Sequence, residues 1–208
     1  MKRVILHWTA GSYIPNNLDL DHYHFVIDGN GHVLHGALPV EANKAPILKD
    51  DVYAQHTLNC NTDSIGVAIA AMGKAVQRPF NAGKWPVRQI QLEALAGLVA
   101  GLCKQYGISL SRETVLTHAE VQPTLGIVQK GKWDITWLPS LARPIDPVAA
   151  GDMIRARVAD AMQPKARPAP MPTPVAHGFG LIPENKNMFK KLSPLGAFWG
   201  MFRRTIGG

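Results

Sequence analysis

Apolar residues in the first three quarters of the chain fall in short blocks, some continuous and some repeating near every 3.6 residues, as strands alternating with helices do. Lys2 to Trp8 is a β-branched, apolar run that reads as a buried strand. His24 to Asp28, then Gly29-Asn30-Gly31, then His32 to Leu34 read as two strands around a tight turn. Ser64 to Ala71 is a continuous apolar run of strand length. Between Pro86 and Tyr106, apolar residues recur at Ile90, Leu92, Leu95, Leu98, Val99, Leu102 and Tyr106. That spacing predicts a helix with one buried stripe, Pro86 near its first turn and Gly107 at its stop. Thr114 to Thr117 predicts a short strand leading into His118, and Pro147 to Met162 a final amphipathic helix. Together these elements predict an α/β fold with a central mixed β-sheet flanked by helices.

The pattern breaks after Met162. Pro164, Pro168, Pro170, Pro172 and Pro174 stand close together with Ala, Lys and Arg between them, which favours an extended, solvated linker. Beyond it Met188, Phe189, Leu192, Leu195, Phe198, Trp199, Phe202 and Ile206 recur at helical spacing among Lys190, Lys191, Arg203 and Arg204, interrupted at Pro194. The chain therefore divides into a body over 1–162, a Pro-rich linker over 163–186 and a basic amphipathic tail over 187–208. Such a tail suits an anionic membrane or outer-membrane surface, and equally a helix docked on the body. It is too short and too rich in proline to build a core of its own.

Composition sharpens this division. The chain has 208 residues, of which 46% are hydrophobic and 18% charged, enough for one globular domain with an appendage. Its formal charge of +7 is uneven: residues 1–162 hold 15 basic and 14 acidic side chains, and the remainder seven and one. A near-neutral body argues against nucleic acid as a partner, since a binding domain carries its basic patch on the folded surface. Cys60 and Cys103 are too few for a disulfide framework and read as buried thiols. Met1-Lys2-Arg3 is followed by only Val4, Ile5 and Leu6 before His7, too short an apolar run for a signal peptide, and no segment has the apolar length of a membrane span. The expectation is synthesis in the cytoplasm without an export signal, and a monomer.

Candidate chemistry stands at the ends of the strands. His7 closes the first, His118 follows the Thr114 strand, and Asp134 sits in Lys132-Trp133-Asp134. Two imidazoles and a carboxylate make a catalytic zinc set with a fourth position left for water. Spacing alone leaves a satisfied core or surface histidine as the commoner reading of each.

Several segments in order change that weighting: His7-Trp8-Thr9-Ala10; Tyr23-His24-Phe25-Val26-Ile27 with its Gly-Asn-Gly turn; Gln55-His56-Thr57 followed by Asn61 and Ser64-Ile65-Gly66-Val67; Phe80 and the long helix to Tyr106-Gly107; and Thr117-His118-Ala119-Glu120-Val121 followed by Lys132-Trp133-Asp134. In these the body resembles the zinc-dependent N-acetylmuramoyl-L-alanine amidases of the type-2 amidase and peptidoglycan-recognition family, especially their phage-lysozyme branch of endolysins. The resemblance implies that His7, His118 and Asp134 bind one zinc ion (Zn2+). It implies that the substrate is peptidoglycan, cut at the amide between N-acetylmuramic acid and L-alanine. Lys132 matches the family's catalytic lysine, which stabilises the oxyanion. Tyr23 matches a catalytic tyrosine beside the metal, and His56, Thr9 and Asn61 are candidates for substrate contacts. An endolysin with no export signal would reach the periplasmic cell wall after holin-type release.

The sequence departs from the pattern in three places. Ala68 stands where some relatives carry a glutamate in the strand, so a general base is absent there, as in the phage branch. Asp134 stands where that branch often has cysteine. Ser12 to Leu20 is short and rich in Pro and Asn where relatives have a helix, which predicts a more open rim. Two other readings remain open: a cytoplasmic amidase recycling anhydromuropeptides, and a non-catalytic peptidoglycan receptor, the latter disfavoured by retention of all three ligands and Lys132.

Overall fold

The computed structural model describes residues 1–47 and 52–164. Most of the Pro-rich linker and the whole amphipathic tail lie outside the described residues. The described residues form five strands, β1 (Arg3–Trp8), β2 (Phe25–Ile27), β3 (Val33–His35), β4 (Ser64–Ile69) and β5 (Val115–Thr117). They also form four helices, α1 (Asn17–His22), α2 (Gln89–Tyr106), α3 (His118–Leu125) and α4 (Pro147–Met162), with a single 3-10 turn at Val40–Asn43. No described helix is long and apolar enough to cross a membrane.

The strands form one mixed sheet in the order β3-β2-β4-β1-β5. β2, β4, β1 and β5 run parallel, and β3 closes one edge as the antiparallel arm of the hairpin. Alternation along each strand sends successive side chains to opposite faces. On one face Val4, Leu6, Trp8, Ile65, Val67 and Ile69 join the main apolar cluster under α2 and α4. On the other face Ile5 packs with Cys60 and Val121, while Val26, Ala68 and Ala70 pack with Leu20 and Tyr23. That second face, by alternation, carries His7. Burial of both faces explains why β1 and β4 read as continuous apolar runs rather than alternating ones.

Helix α2 starts at Gln89, not in the turn containing Pro86, and ends where Gly107 takes the left-handed conformation (φ 64°) that a C-terminal cap requires. Leu92, Leu95, Val99 and Leu102 form its buried stripe, but Ile90 is half exposed. Its neighbour Gln91 turns inward instead, and its Nε2 donates to the carbonyls of Ile27, Asp28 and Ala70 at 3.0–3.3 Å. A polar side chain thus pins the helix to the ends of β2 and β4.

Two helices correct the sequence expectations. The Ser12–Leu20 stretch does reach a helix, the six residues of α1, started by a capping box in which Asn16 Oδ1 accepts from Asp19 N–H and Asp19 Oδ2 accepts from Asn16 N–H. His118 follows β5 as expected, but it opens a helix that the pattern did not predict, α3, whose start is capped by Glu120 Oε2 accepting from Thr117 N–H at 2.8 Å.

Candidate functional site

The site lies at the carboxyl ends of β1 and β5, where open α/β sheets place their ligand crevices. His7 is the penultimate residue of β1, one before Trp8, and is fully buried. Its register partner on β4 is Ala68, so the neighbouring strand offers a methyl group there and no carboxylate. Ala68 packs beside Tyr23, whose ring centroid lies 5.0 Å from that of His7. His118 is set by the start of α3. Asp134 is carried in by a segment that Ile135, Trp137 and Leu138 bury in the core, and its own carbonyl accepts from Ala119 N–H at 2.7 Å. One backbone hydrogen bond therefore ties the Asp134 segment to the helix that presents His118.

These elements bring the three predicted ligands together although His7 and Asp134 are 127 residues apart. His7 Nδ1 and His118 Nδ1 each lie 3.1 Å from the same carboxylate oxygen, Asp134 Oδ2. One potential ligand atom from each residue falls within 4.8 Å of the others, and all three residues are buried. The far side of each ring is also engaged. His118 Nε2 lies 2.9 Å from Gln129 Oε1, and His7 Nε2 lies 3.3 Å from Thr57 Oγ1. The donor set fits a metal such as zinc, since two imidazole nitrogens and a carboxylate oxygen converge on one point with their outer atoms bonded to partners.

Electrostatics keep His7 and Asp134 in their metal-binding protonation states. Burial lowers His7 to about 4, helped by the charges of His118 and Lys132 against its contact with Asp134. Burial pushes Asp134 up, yet its hydrogen-bonding contacts with His118 and His7 prevail and hold it at about 2. Burial, then the charges of Asp134 and Asp19, raise the Tyr23 phenol well above its usual range, so its hydroxyl keeps its proton.

The remaining candidates surround this centre. Lys132 is exposed and lines two clefts that meet beside it. One, of about 630 Å3, is bordered by Arg78, Phe80, Trp133 and Arg143. The other, of about 390 Å3, is bordered by Tyr53, His56, Asn61, His118 and Gln129. His56 is buried, with Nδ1 2.8 Å from Thr57 Oγ1 and Nε2 without a hydrogen-bond partner among the described residues. Its ring fits only because position 66 is glycine, where a Cβ would stand 2.5 Å from the ring carbons. Asn61 Oδ1 accepts from the backbone N–H groups of His56 and Thr57, so this side chain shapes the cleft wall. Thr9 is half buried at the end of β1, and its Oγ1 accepts from Gly11 N–H. Gln129 went unremarked in the sequence, and Thr57 stood out there only as part of the Gln55-His56-Thr57 segment, with no role of its own.

The Amidase_2 family model, described as N-acetylmuramoyl-L-alanine amidase, matches residues 1–136. The chain belongs to this family. The match takes in every predicted site residue from His7 to Asp134. Curated protein sequences give no match. Among solved structures, the Ph2119 endolysin from a bacteriophage of Thermus scotoductus MAT2119 is 15% identical, covering 75% of this chain and 83% of that one at a TM-score of 0.44. The N-acetylmuramoyl-L-alanine amidase LysC from Clostridium intestinale URNW is 15% identical, covering 76% and 85% at 0.45. Bumblebee PGRP-SA is 19% identical, covering 68% and 86% at 0.38.

The buried histidines of this amidase-family chain set its acid stability. Burial lowers His24 to about 4 and, with the charges of His7 and His24, holds His56 well below the usual imidazole range. Unfolded imidazoles take up protons near 6.5. The unfolded chain therefore binds more protons than the native one between about 6.5 and 4, and stability falls as the pH drops through that window. Each such ring contributes ~1.4 kcal/mol per pH unit. Urea unfolding of the metal-free chain at pH 7 and pH 5 is expected to show a markedly lower midpoint in acid; equal midpoints would contradict neutral buried rings.

Proposed function

We propose that this chain hydrolyses the amide between N-acetylmuramic acid and L-alanine in bacterial peptidoglycan, as a zinc-dependent endolysin of phage or prophage origin. The observation that carries the reading is the convergence of His7, His118 and Asp134 within a chain of the amidase family. His7 and His118 through Nδ1, with Asp134 through Oδ2, would hold the ion. Zinc in that position supplies the Lewis acidity that activates water at neutral pH and polarises the scissile carbonyl.

The chain's own residues do the rest. Lys132 brings an ammonium group to the junction of the two clefts, where it stabilises the negative charge that develops on the carbonyl oxygen. Tyr23, protonated and beside His7, donates a hydrogen bond to the attacking water or to the tetrahedral intermediate. His56, which lines the smaller cleft, the Asn61 wall and Thr9 orient the substrate. In this reading the body over 1–162 is catalytic and acts as a monomer. The linker over 163–186 lets the basic tail over 187–208 reach an anionic envelope surface. The protein is made in the cytoplasm and meets the wall after a holin-type lesion opens the membrane.

Digestion of purified sacculi with and without a zinc chelator tests the reading. Newly freed L-alanine amino groups that vanish on chelation are expected. Failure to cut sacculi despite bound zinc would overturn it, and cleavage of small anhydromuropeptides alone would assign a recycling amidase instead. Replacing the lysine in Lys132→Met is expected to lower kcat by ~10²–10³ with little change in KM, as loss of one oxyanion donor does. A variant with parental kcat would remove Lys132 from the mechanism.

A further inference from the structure

The two imidazoles are steered from behind by one short segment of chain. Gln129 is buried, and its Nε2 donates to the carbonyls of Leu58 (2.9 Å) and Ile127 (3.3 Å). With its amide nitrogen so committed, Oε1 faces His118 Nε2 at 2.9 Å and must accept. With a cation between the ligands, His118 would therefore carry its proton on Nε2 and offer its Nδ1 lone pair to the point that Asp134 Oδ2 also faces. On the other ligand, Thr57 Oγ1 lies 2.8 Å from His56 Nδ1 and 3.3 Å from His7 Nε2. A hydroxyl has one proton to give. When it goes to His56 Nδ1, the oxygen is left to accept from His7 Nε2–H, and the His7 lone pair also points inward. Asn61 Oδ1 fixes this segment by accepting from His56 N–H (3.1 Å) and Thr57 N–H (2.8 Å).

We infer that Thr57, backed by His56, and Gln129, anchored on Leu58, are positioning residues that hold both histidines as Nε2–H tautomers with their Nδ1 lone pairs converged for the metal. This rests on the zinc reading above. The chemistry needs it: two neutral rings facing one carboxylate oxygen donate lone pairs to a cation only when neither carries its proton on Nδ1. One segment, Thr57–Leu58, then serves both ligands, although one arrives on β1 and the other at the start of α3, 111 residues apart in sequence by their numbers, 7 and 118. The same segment lines the polar cleft, so the wall that meets the substrate is the one that sets the ligand tautomers.

The test is zinc affinity of the full chain by competition with a chromophoric chelator, for the parent and for Thr57→Val, Thr57→Ser and Gln129→Met. Val and Met keep the volume and remove the hydrogen bond. Each is expected to weaken zinc by ~10–100-fold, the range for loss of an outer partner of a ligating histidine, beyond whatever the unpaired buried groups cost the metal-free fold. Thr57→Ser, which keeps the hydroxyl, is expected to restore parental affinity. Parental zinc affinity in both Thr57→Val and Gln129→Met overturns the inference, as does weakening matched by an equal loss of metal-free stability without rescue by serine. A parent chain that binds no zinc instead overturns the zinc reading on which the inference rests. Side-chain nitrogen–proton correlation spectra of the zinc-loaded chain read the tautomers directly: both rings protonated at Nε2 supports the assignment, and a zinc-loaded His7 without a proton on Nε2 refutes it.

Discussion

His118→Ala is expected to yield a folded protein that retains no zinc after desalting and cuts no sacculi. The fold should survive because His118 lies at the first position of α3, where the cap is supplied by Glu120 and the tie to the Asp134 segment by Ala119 N–H, neither of which uses the imidazole. The metal should not, because His7 and Asp134 alone leave half of a four-coordinate shell to water. The loss should exceed the ~10–100-fold typical of an outer-shell change. Metal analysis beside circular dichroism checks both halves of the expectation. A variant that stays fully active without zinc would sink the metal mechanism, and one that unfolds would show that the ring also supports the sheet.

The second large effect concerns stability. Glu120, in the first turn of α3, is fully buried, and its carboxylate receives Arg155 Nη2 at 2.7 Å and Nη1 at 3.1 Å, with Nη1 also donating to Val115 O at 2.8 Å. Space for this pair exists because position 151 on α4 is glycine, where a Cβ would stand 1.8 Å from Glu120 Oε2. Arg155→Ala strands a buried charge and is expected to cost ~3–5 kcal/mol, lowering the melting temperature on the order of 10 °C. Burial already raises the Glu120 pKa against the pull of Arg155, so in the variant the carboxyl should take up a proton more readily and the deficit shrink in acid. Pairing Arg155→Met with Glu120→Leu should recover most of the loss, since no charge is then left alone. Thermal melts of the three chains decide it, and a loss below 1 kcal/mol in Arg155→Ala would show the pair to be solvated in practice.

Periodicity revealed those parts of the fold whose burial is regular. β1, β4, α2 and α4 are long, apolar on a repeat and bounded by recognisable stops such as Gly107, so they stood out in the sequence. α1 and α3 did not, because neither has room for an apolar repeat and Pro123 sits inside α3. Their signal was in the caps: Asn16 with Asp19, and Thr117 with Glu120, each a side-chain oxygen three residues before a carboxylate. The candidate ligands were legible through motif resemblance, not spacing, for nothing local links His7 to Asp134. Gln129 left no mark and Thr57 only a place in a matching segment, because an ordinary threonine and glutamine gain their roles only when the fold brings His7 and His118 against them.

The position of β1 has a consequence for how this protein is made. It precedes the other described strands in the chain and lies between two parallel neighbours, paired on one side with Ser64–Ile69 and on the other with Val115–Thr117. Its edges stay unpaired until those segments have been translated, and such non-local pairing is the slow kind. Asp134 comes later still. The candidate centre therefore has no partial form during synthesis, and a nascent chain cut short before that carboxylate should be unable to hold the metal however well its sheet has begun to pair.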